Sequence, residues 1–192
     1  MKTVLILRHG KSDWGADYAT DHDRPLAKRG HRAASRLGRF LRQTGQIPDL
    51  VLSSTAVRAR RTAELAMEAG QWACPLKCNP DLYGTFAPSV LEMIRDQDDG
   101  IASLLLVGHQ PTWSELVALL SGAVTRFPTA ALARIDFEVD SWAEVQAETG
   151  SLIWLVTPKL LEKKGLEVPP ALMLAAGSWQ LVPALFRLMT DD

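Results

Sequence analysis

The sequence has few cysteines, no excess charge of either sign and no long apolar run, and each shortage excludes a class of protein. The two cysteines among 192 residues, Cys74 and Cys78, lack a second pair or a nearby histidine pair. This argues against a zinc site and favours reduced thiols. A formal net charge of −1 gives no basic footprint for nucleic acid. No uninterrupted apolar run reaches the length of a membrane span. We therefore expect this protein to bind neither nucleic acid nor a membrane.

The N-terminus is interpreted as a strand rather than as a targeting segment. Its apolar part, residues 4–7, is shorter than the apolar centre of a signal peptide, and no small-residue cleavage site follows it. Hydrophobic residues make up 47% of the chain and charged residues 22%, which is ordinary for a protein with a real core. These features predict a cytoplasmic protein.

Short apolar segments separated by amphipathic stretches predict an α/β fold. Continuous apolar runs are typical of strands buried on both faces of a parallel sheet, and they occur at residues 4–7, 49–52, 103–107 and 152–156. Residues 132–139 alternate like a half-exposed strand. Helical periodicity predicts helices around residues 26–41, 57–67, 90–94 and 113–120. The pattern indicates a three-layer α/β/α sandwich with a mostly parallel central sheet.

The C-terminal part of the chain differs from the rest in its apolar character. We predict one domain over residues 1–165 and an apolar extension over residues 166–192. The extension would be helical around residues 181–189, with Pro183 in its first turn or kinking it. It would pack either on the domain or in an oligomer interface, and the sequence favours neither.

Two histidines follow the carboxyl ends of predicted strands. Arg8, His9 and Gly10 come directly after the first strand, and Gly108 and His109 come after the strand at residues 103–107. Ligands of open α/β sheets bind at this edge. Gly10 permits a tight turn and the close approach of a ligand to the backbone. We therefore expect both histidines to lie at one site.

Two further arginines are candidates for the same site. Arg58 falls in the first turn of the helix that follows the strand at residues 49–52, and Arg24 precedes the first long helix. Guanidinium groups bind phosphoryl oxygens in a bidentate manner and stay charged at any relevant pH. A neutral imidazole can attack phosphorus, and a protonated second histidine would stabilise charge on the oxygens. The combination indicates phosphoryl-transfer chemistry with His9 as nucleophile.

Each of these residues also has an ordinary structural interpretation. His109 alone would be a hydrogen-bonded structural histidine, Arg58 part of a solvated helix start, and Arg24 a turn residue before proline. The functional interpretation depends on three strand ends delivering the groups that one reaction needs. His22 and His31 stand in polar context and are interpreted as surface residues.

Several motifs resemble those of the histidine phosphatase superfamily, which has the phosphoglycerate-mutase-like fold. They are RHG at residues 8–10, SS at residues 53–54 followed by RA and TA at residues 58–59 and 62–63, and GH at residues 108–109. The chain looks most like the small SixA-type phosphohistidine phosphatases because of RHGKS at residues 8–12, DRPL at residues 23–26 and LY at residues 82–83. The resemblance covers roughly residues 1–160.

The resemblance implies a role for each matched residue. His9 would accept the phosphoryl group, and no metal or organic cofactor would be used. The catalytic residues implied are Arg8, His9, Arg58 and His109. The residues assigned to substrate binding are Gly10, Arg24 and Gly108. Phosphate, sulfate or vanadate would bind in this pocket.

The chain departs from larger members of the family by lacking a clear acidic residue that protonates the leaving oxygen. Asp81 and Glu92 are the candidates for that role. A leaving imidazole has a conjugate acid with a pKa near neutrality, so phosphohistidine needs such an acid less than an ester does. We therefore predict hydrolysis of phosphohistidine on a signalling or phosphotransfer protein. The alternatives are a phosphatase for small phosphomonoesters, such as sugar phosphates or nucleotides, and a non-catalytic phospho-binding module; a mutase is less favoured.

Overall fold

The computed structural model describes residues 1–162, which form a six-stranded sheet and the helices around it. The strands are β1 (Lys2–Arg8), β2 (Leu50–Ser54), β3 (Leu76–Asn79), β4 (Ser103–Gly108), β5 (Leu132–Phe137) and β6 (Ser151–Val156). The helices are α1 (Lys28–Gln43), α2 (Val57–Gly70), α3 (Ala87–Arg95), α4 (Thr112–Ser121) and α5 (Pro158–Glu162). Short 3₁₀ turns occupy Asp21–Asp23, Pro80–Leu82 and Trp142–Glu144.

The sheet has the strand order β3-β2-β4-β1-β5-β6. Strands β3, β2, β4 and β1 pair in parallel, whereas β5 is antiparallel to both of its neighbours. The predicted mostly parallel α/β sheet is therefore confirmed. Because β1 and β4 are adjacent and parallel, their carboxyl ends lie side by side at one edge.

Two hydrophobic cores lie on opposite faces of the sheet. Alternate residues of β1 divide between them: Val4 and Ile6 pack with α3 and α4, whereas Leu5 and Leu7 pack with α1 and α2. This division explains the uninterrupted apolar runs, because both faces of the central strands are covered. The helices form the two outer layers of the predicted three-layer sandwich.

The predicted strands and helices lie at the right positions along the chain, but several of their ends differ from those in the structure. All five predicted strands are present, but β3 was not predicted, and β5 ends at Phe137 rather than at residue 139. Helix α1 begins at Lys28 because Leu26 forms an isolated antiparallel bridge with Ser12 instead of a helical turn. This bridge ties the loop after β1 to the start of α1.

The predicted domain boundary and C-terminal extension, residues 166–192, lie outside the described residues and stay predictions. Within residues 1–162, none of the helices combines the length and the apolar character that crossing a membrane requires.

Candidate active site

The site forms where β1 and β4 end together. Arg8 and Gly108 are partners in the parallel register, and the backbone N–H of His9 donates to the carbonyl of Gly108 at 3.0 Å. The rings of His9 and His109 consequently face each other, with centroids 5.1 Å apart. The expectation that both histidines meet at one sheet edge is met by this geometry.

His9 is held in one tautomer by its own loop. Its Nδ1 lies 2.7 Å from the carbonyl oxygen of Gly10, which can only accept a hydrogen bond. Nδ1 therefore carries the proton and Nε2 is left with a lone pair in the neutral ring. Burial lowers the pKa of His9 to about 4, and the charges of Arg58, Arg8 and Arg24 act in the same direction. At neutral pH the ring is an uncharged imidazole whose Nε2 carries the lone pair.

The loop after β1 is fixed to the start of α2 through Thr62. The N–H of Gly10 donates to the Thr62 hydroxyl at 2.9 Å, and that hydroxyl donates to the carbonyl of Arg58 at 2.7 Å. Gly10, which follows His9, and Arg58 are thus joined through two hydrogen bonds despite their separation in sequence. The N–H of Gly10 is occupied by Thr62 and is not available to a substrate. The predicted role of Gly10 in substrate binding therefore depends on the close approach of the substrate to its backbone.

Gly108 makes room for a tryptophan that supports β1. A Cβ at Gly108 would lie 2.6 Å from the ring of Trp113, whose indole N–H donates to the carbonyl of Leu7 at 2.8 Å. This packing explains a glycine at residue 108 on structural grounds. The predicted role of Gly108 in substrate binding stays a prediction.

Three buried polar atoms of the site have no hydrogen-bond partner among the described residues. They are Nε of Arg8, Nε of Arg58 and Nδ1 of His109. Arg8 is held through its Nη1, which donates to the carbonyl of Phe127 at 2.8 Å. Burial lowers the pKa of Arg8. Burying an unpaired polar atom costs about 1–3 kcal/mol, so this arrangement fits a ligand with several acceptor oxygens.

His109 is also neutral, and its ring contacts the Ser54 hydroxyl. Burial lowers the pKa of His109 to about 3, and neighbouring His9 and Arg58 add to the shift. Its Nε2 lies 2.9 Å from the Ser54 hydroxyl, which already accepts from the N–H of Ala56 at 3.3 Å. When the hydroxyl donates to Nε2, Nδ1 carries the proton and is a donor. In that tautomer a neutral His109 can donate a hydrogen bond, so it can contact a phosphoryl oxygen without the positive charge considered in the sequence analysis.

Arg24 and Arg58 share one carboxylate, that of Asp21. Nε and Nη2 of Arg24 donate to Oδ1 of Asp21 at 3.1 and 2.7 Å, and Nη1 donates to the Ser12 hydroxyl. Nη2 of Arg58 donates to Oδ2 of Asp21 at 2.9 Å, and Nη1 donates to its backbone carbonyl at 2.5 Å. The structure thus places both predicted arginines at the site through a residue that the sequence analysis missed.

Asp21 also accepts a hydrogen bond from an aromatic residue. The Tyr83 hydroxyl donates to its Oδ2 at 3.0 Å. Although partial burial raises the pKa of Asp21, the hydrogen bonds from Arg24 and Tyr83 and the charge of Arg58 lower it overall. The sequence signal for Asp21 was its position three residues before Arg24, where a short turn allows an ion pair.

The surface interpretation of His22 was incomplete. Its Nε2 lies 2.9 Å from the Thr55 hydroxyl, and its ring meets Tyr83 edge-on with centroids 5.0 Å apart. Tyr83 in turn meets His109 edge-on at 5.3 Å. His22 therefore belongs to the wall of the site, whereas His31 is a half-buried residue of α1.

The two carboxylates considered as proton donors lie elsewhere. Asp81 is exposed on the 3₁₀ turn after β3, where its backbone N–H donates to the side-chain oxygen of the capping residue Asn79 at 2.8 Å. Glu92 is exposed on α3 and pairs with Arg95 at 2.7 Å. Neither carboxylate therefore lies in the hydrogen-bonded network that the described residues form around His9. Within residues 1–162, no cluster of three or more His, Cys, Asp or Glu residues is suited to hold a metal. Cys74 and Cys78 are free thiols.

Comparisons with known proteins identify the family of this chain. The model of the histidine phosphatase superfamily (branch 1) matches residues 4–84. An uncharacterised protein of Mycobacterium tuberculosis (strain CDC 1551 / Oshkosh) is 36% identical over 165 residues, covering 80% of this chain and 100% of that protein.

Two solved structures share the fold along most of the described chain. A protein assigned as the phosphohistidine phosphatase SixA of Agrobacterium tumefaciens has 28% identity and a TM-score of 0.70, covering 82% of this chain and 98% of that one. The protein histidine phosphatase SixA complexed with tungstate has 25% identity and a TM-score of 0.73, covering 83% and 99%. The chain therefore belongs to the histidine phosphatase superfamily, whose members are phosphatases and mutases, and it is of the SixA type.

Proposed function

We propose that this protein is a phosphatase that forms a covalent phosphohistidine on His9 and hydrolyses phosphohistidine on a signalling or phosphotransfer protein. The observation that carries the proposal is the state of His9. Its Nδ1 proton is fixed on Gly10, its pKa is lowered to about 4, and its Nε2 is free of a proton. A neutral, oriented imidazole among arginines is suited to attack a phosphoryl group.

The reaction has two displacement steps at phosphorus. In the first, Nε2 of His9 forms a bond to phosphorus while the substrate's P–N bond breaks, and the leaving imidazole nitrogen takes a proton from solvent. In the second, water attacks phosphorus and the P–N bond to His9 breaks, which returns the electron pair to Nε2. The water's oxygen and one of its protons leave in inorganic phosphate, and the other proton passes to solvent. The hydrogen bond from Nδ1 to Gly10 stabilises positive charge that develops on the phosphorylated ring.

The other predicted residues stabilise charge on the transferred group. Nε of Arg8 and of Arg58 and Nδ1 of His109 are buried donors without a partner, and phosphoryl oxygens would accept from them. Arg24 would complete the pocket from the side of Asp21. The tungstate bound by the related SixA protein supports a site for tetrahedral oxyanions, so we propose that phosphate, sulfate and vanadate bind here.

The leaving group is inferred from the acids that surround the site. Asp21 is the carboxylate that the described contacts bring beside the arginines, and its lowered pKa keeps it ionised and unable to donate a proton at neutral pH. An alkoxide leaving group requires protonation, whereas an imidazole leaves more readily because its conjugate acid has a pKa near neutrality. This difference favours phosphohistidine over a phosphomonoester.

The edge of the site offers contact area for a protein surface. Trp14 is 66% exposed and lies over the guanidinium of Arg24, with 3.6 Å between its ring centroid and Cζ. Tyr83 is 38% exposed and donates its hydroxyl hydrogen bond to Asp21. Exposed aromatic side chains beside a phosphoryl pocket are suited to contact a protein that carries the phosphohistidine.

The test is catalytic efficiency on a phosphohistidine-bearing protein, measured beside a panel of sugar phosphates and nucleotides. We expect the protein to be preferred, His9→Ala to abolish turnover, and the matched control His31→Ala to retain it. Preference for one small ester would make the protein a metabolite phosphatase. Binding of the phosphoprotein without turnover by the unaltered protein would indicate a non-catalytic binding module.

A further inference from the structure

Asp21 occupies hydrogen-bonding groups that a bound anion would also use. Each of the three nitrogens of Arg24 makes a hydrogen bond, Nε and Nη2 to the Asp21 carboxylate and Nη1 to Ser12. Both terminal nitrogens of Arg58 donate to Asp21, Nη2 to the carboxylate and Nη1 to the backbone carbonyl, and its Nε has no partner among the described residues. Each terminal nitrogen keeps a second N–H, so the competition concerns charge and position as well as single donors. The carboxylate of Asp21 therefore stands where a second anion would compete for the same guanidinium groups.

The exposure of Arg24, Arg58 and Asp21 indicates which of these side chains an incoming anion can displace. The side chains of Arg24 and Arg58 are 7% and 6% exposed, whereas that of Asp21 is 48% exposed. The arginines are fixed by their surroundings, but the carboxylate covers them from the solvent side. An incoming phosphoryl group must either displace Asp21 or share both guanidiniums with a like charge, and each alternative weakens its binding.

We propose that Asp21 is a built-in competitor that limits the affinity of the site for phosphate and thereby speeds product release. The inference rests on the proposed function, in which inorganic phosphate is the product. Three arginines around two neutral histidines would otherwise hold a phosphate dianion tightly. Asp21 partly neutralises them and offers Arg24 and Arg58 a partner as soon as phosphate departs.

A purely structural role for Asp21 makes the opposite prediction. If Asp21 only held Arg24 and Arg58 in position, removing its charge would loosen the arginines and weaken phosphate binding. The sign of the change in phosphate affinity therefore separates the two roles. Asparagine is the suitable replacement because its side-chain oxygen can still accept from Arg24 while the negative charge is lost. Its NH2 group takes the place of the oxygen that accepts from Arg58 and Tyr83, so the structural role alone predicts weaker phosphate binding by this variant.

The experiment measures the binding of inorganic phosphate and vanadate by calorimetry and the inhibition of turnover by phosphate. Asp21→Asn is expected to lower the dissociation constant for phosphate by about tenfold, to strengthen product inhibition and to lower kcat. The matched control is Asp23→Asn, on the same 3₁₀ turn, where the carboxylate accepts from Thr20 and contacts neither arginine in the described contacts. The control is expected to bind phosphate as the unaltered protein does.

Tyr83→Phe provides a second variant, because Tyr83 is partly exposed and its hydroxyl restrains Asp21. We expect it to tighten phosphate binding by a smaller factor, with the thermal midpoint of unfolding as the check on folding. Equal or weaker phosphate binding by Asp21→Asn would overturn the inference while leaving the phosphatase assignment in place. Absence of phosphate binding and turnover in the unaltered protein would overturn the proposed function, and this inference with it.

Discussion

Arg58 and Arg60 stand two positions apart on α2 but lie in different surroundings. The Arg58 side chain is 6% exposed and faces Asp21, whereas that of Arg60 is 53% exposed and pairs with Glu64. A charge-assisted hydrogen bond contributes about 1.5–3 kcal/mol, so Arg58→Ala should weaken vanadate binding by roughly 10- to 100-fold. Arg60→Ala should leave the inhibition constant for vanadate almost unchanged. Equal losses for the two variants would place Arg58 outside the pocket.

The candidate residues that the sequence revealed are those attached to strand ends. Arg8, His9 and His109 follow buried apolar runs, and such runs locate the edge where ligands bind. Asp21 and Tyr83 lie on and directly after short 3₁₀ turns, and only tertiary folding brings the Tyr83 hydroxyl 3.0 Å from the Asp21 carboxylate. The spacing of Asp21 and Arg24 allows their ion pair, but the contact with Arg58 depends on how the turn packs against α2, which no local pattern specifies.

Helix α1 packs closely against the loop after β1, and this contact between Gly30 and the loop fixes the position of the loop. A Cβ at Gly30 would overlap the backbone of Lys11, and one at Gly10 would lie 2.9 Å from the carbonyl of Gly30. Gly30→Ala should therefore push the loop and His9 away from α1. We expect a loss of roughly 1–3 kcal/mol in the free energy of unfolding, together with a fall in kcat/KM.

Gly15→Ala is the control for this substitution, because its added Cβ would meet only the Asp13 side chain at 3.6 Å, an ordinary contact. Urea unfolding and steady-state kinetics on both variants would measure the two effects. A Gly30→Ala variant with full activity and stability would show that the loop tolerates displacement.

Strands buried on both faces were predictable, whereas the edge strand β3 was not. Strands β1, β2 and β4 carry continuous apolar runs because helices cover both of their faces. Strand β3 spans only Leu76–Asn79 at the edge, and Lys77 and Cys78 are exposed, so it lacks both an apolar run and a clear alternation. Its position is fixed by parallel pairing with β2, which is a non-local interaction.

At the scale of the whole molecule, two buried neutral histidines make the stability depend on pH. The pKa values of His9 and His109 are lowered to about 4 and about 3, while an unfolded histidine titrates near 6.5. Between these values the unfolded chain binds more protons than the folded one, so stability is complete above about pH 6.5 and falls as the pH falls. Each histidine should cost about 2 kcal/mol between pH 6.5 and 5.

Urea unfolding of the unaltered protein and of His9→Asn at pH 7 and pH 5 tests this dependence. Between pH 7 and pH 5, the free energy of unfolding of the variant should fall by about half as much as that of the unaltered protein. The reason is that one of the two histidines no longer titrates in the unfolded chain. His31→Asn, on α1, is the control that should retain the decrease. An unchanged pH dependence in His9→Asn would mean that His9 is not held neutral by the fold.

The central claim is that His9 becomes phosphorylated during turnover, and it is tested most directly by trapping the protein in mid-reaction. A phosphohistidine-bearing protein labelled with radioactive phosphate is mixed with the enzyme, and the reaction is stopped in alkaline denaturant within milliseconds. Peptide mapping should find the label on His9, at a level that rises and decays in step with phosphate release, and no label in His9→Ala. Phosphate release without labelled His9, or label on another residue, would contradict the account.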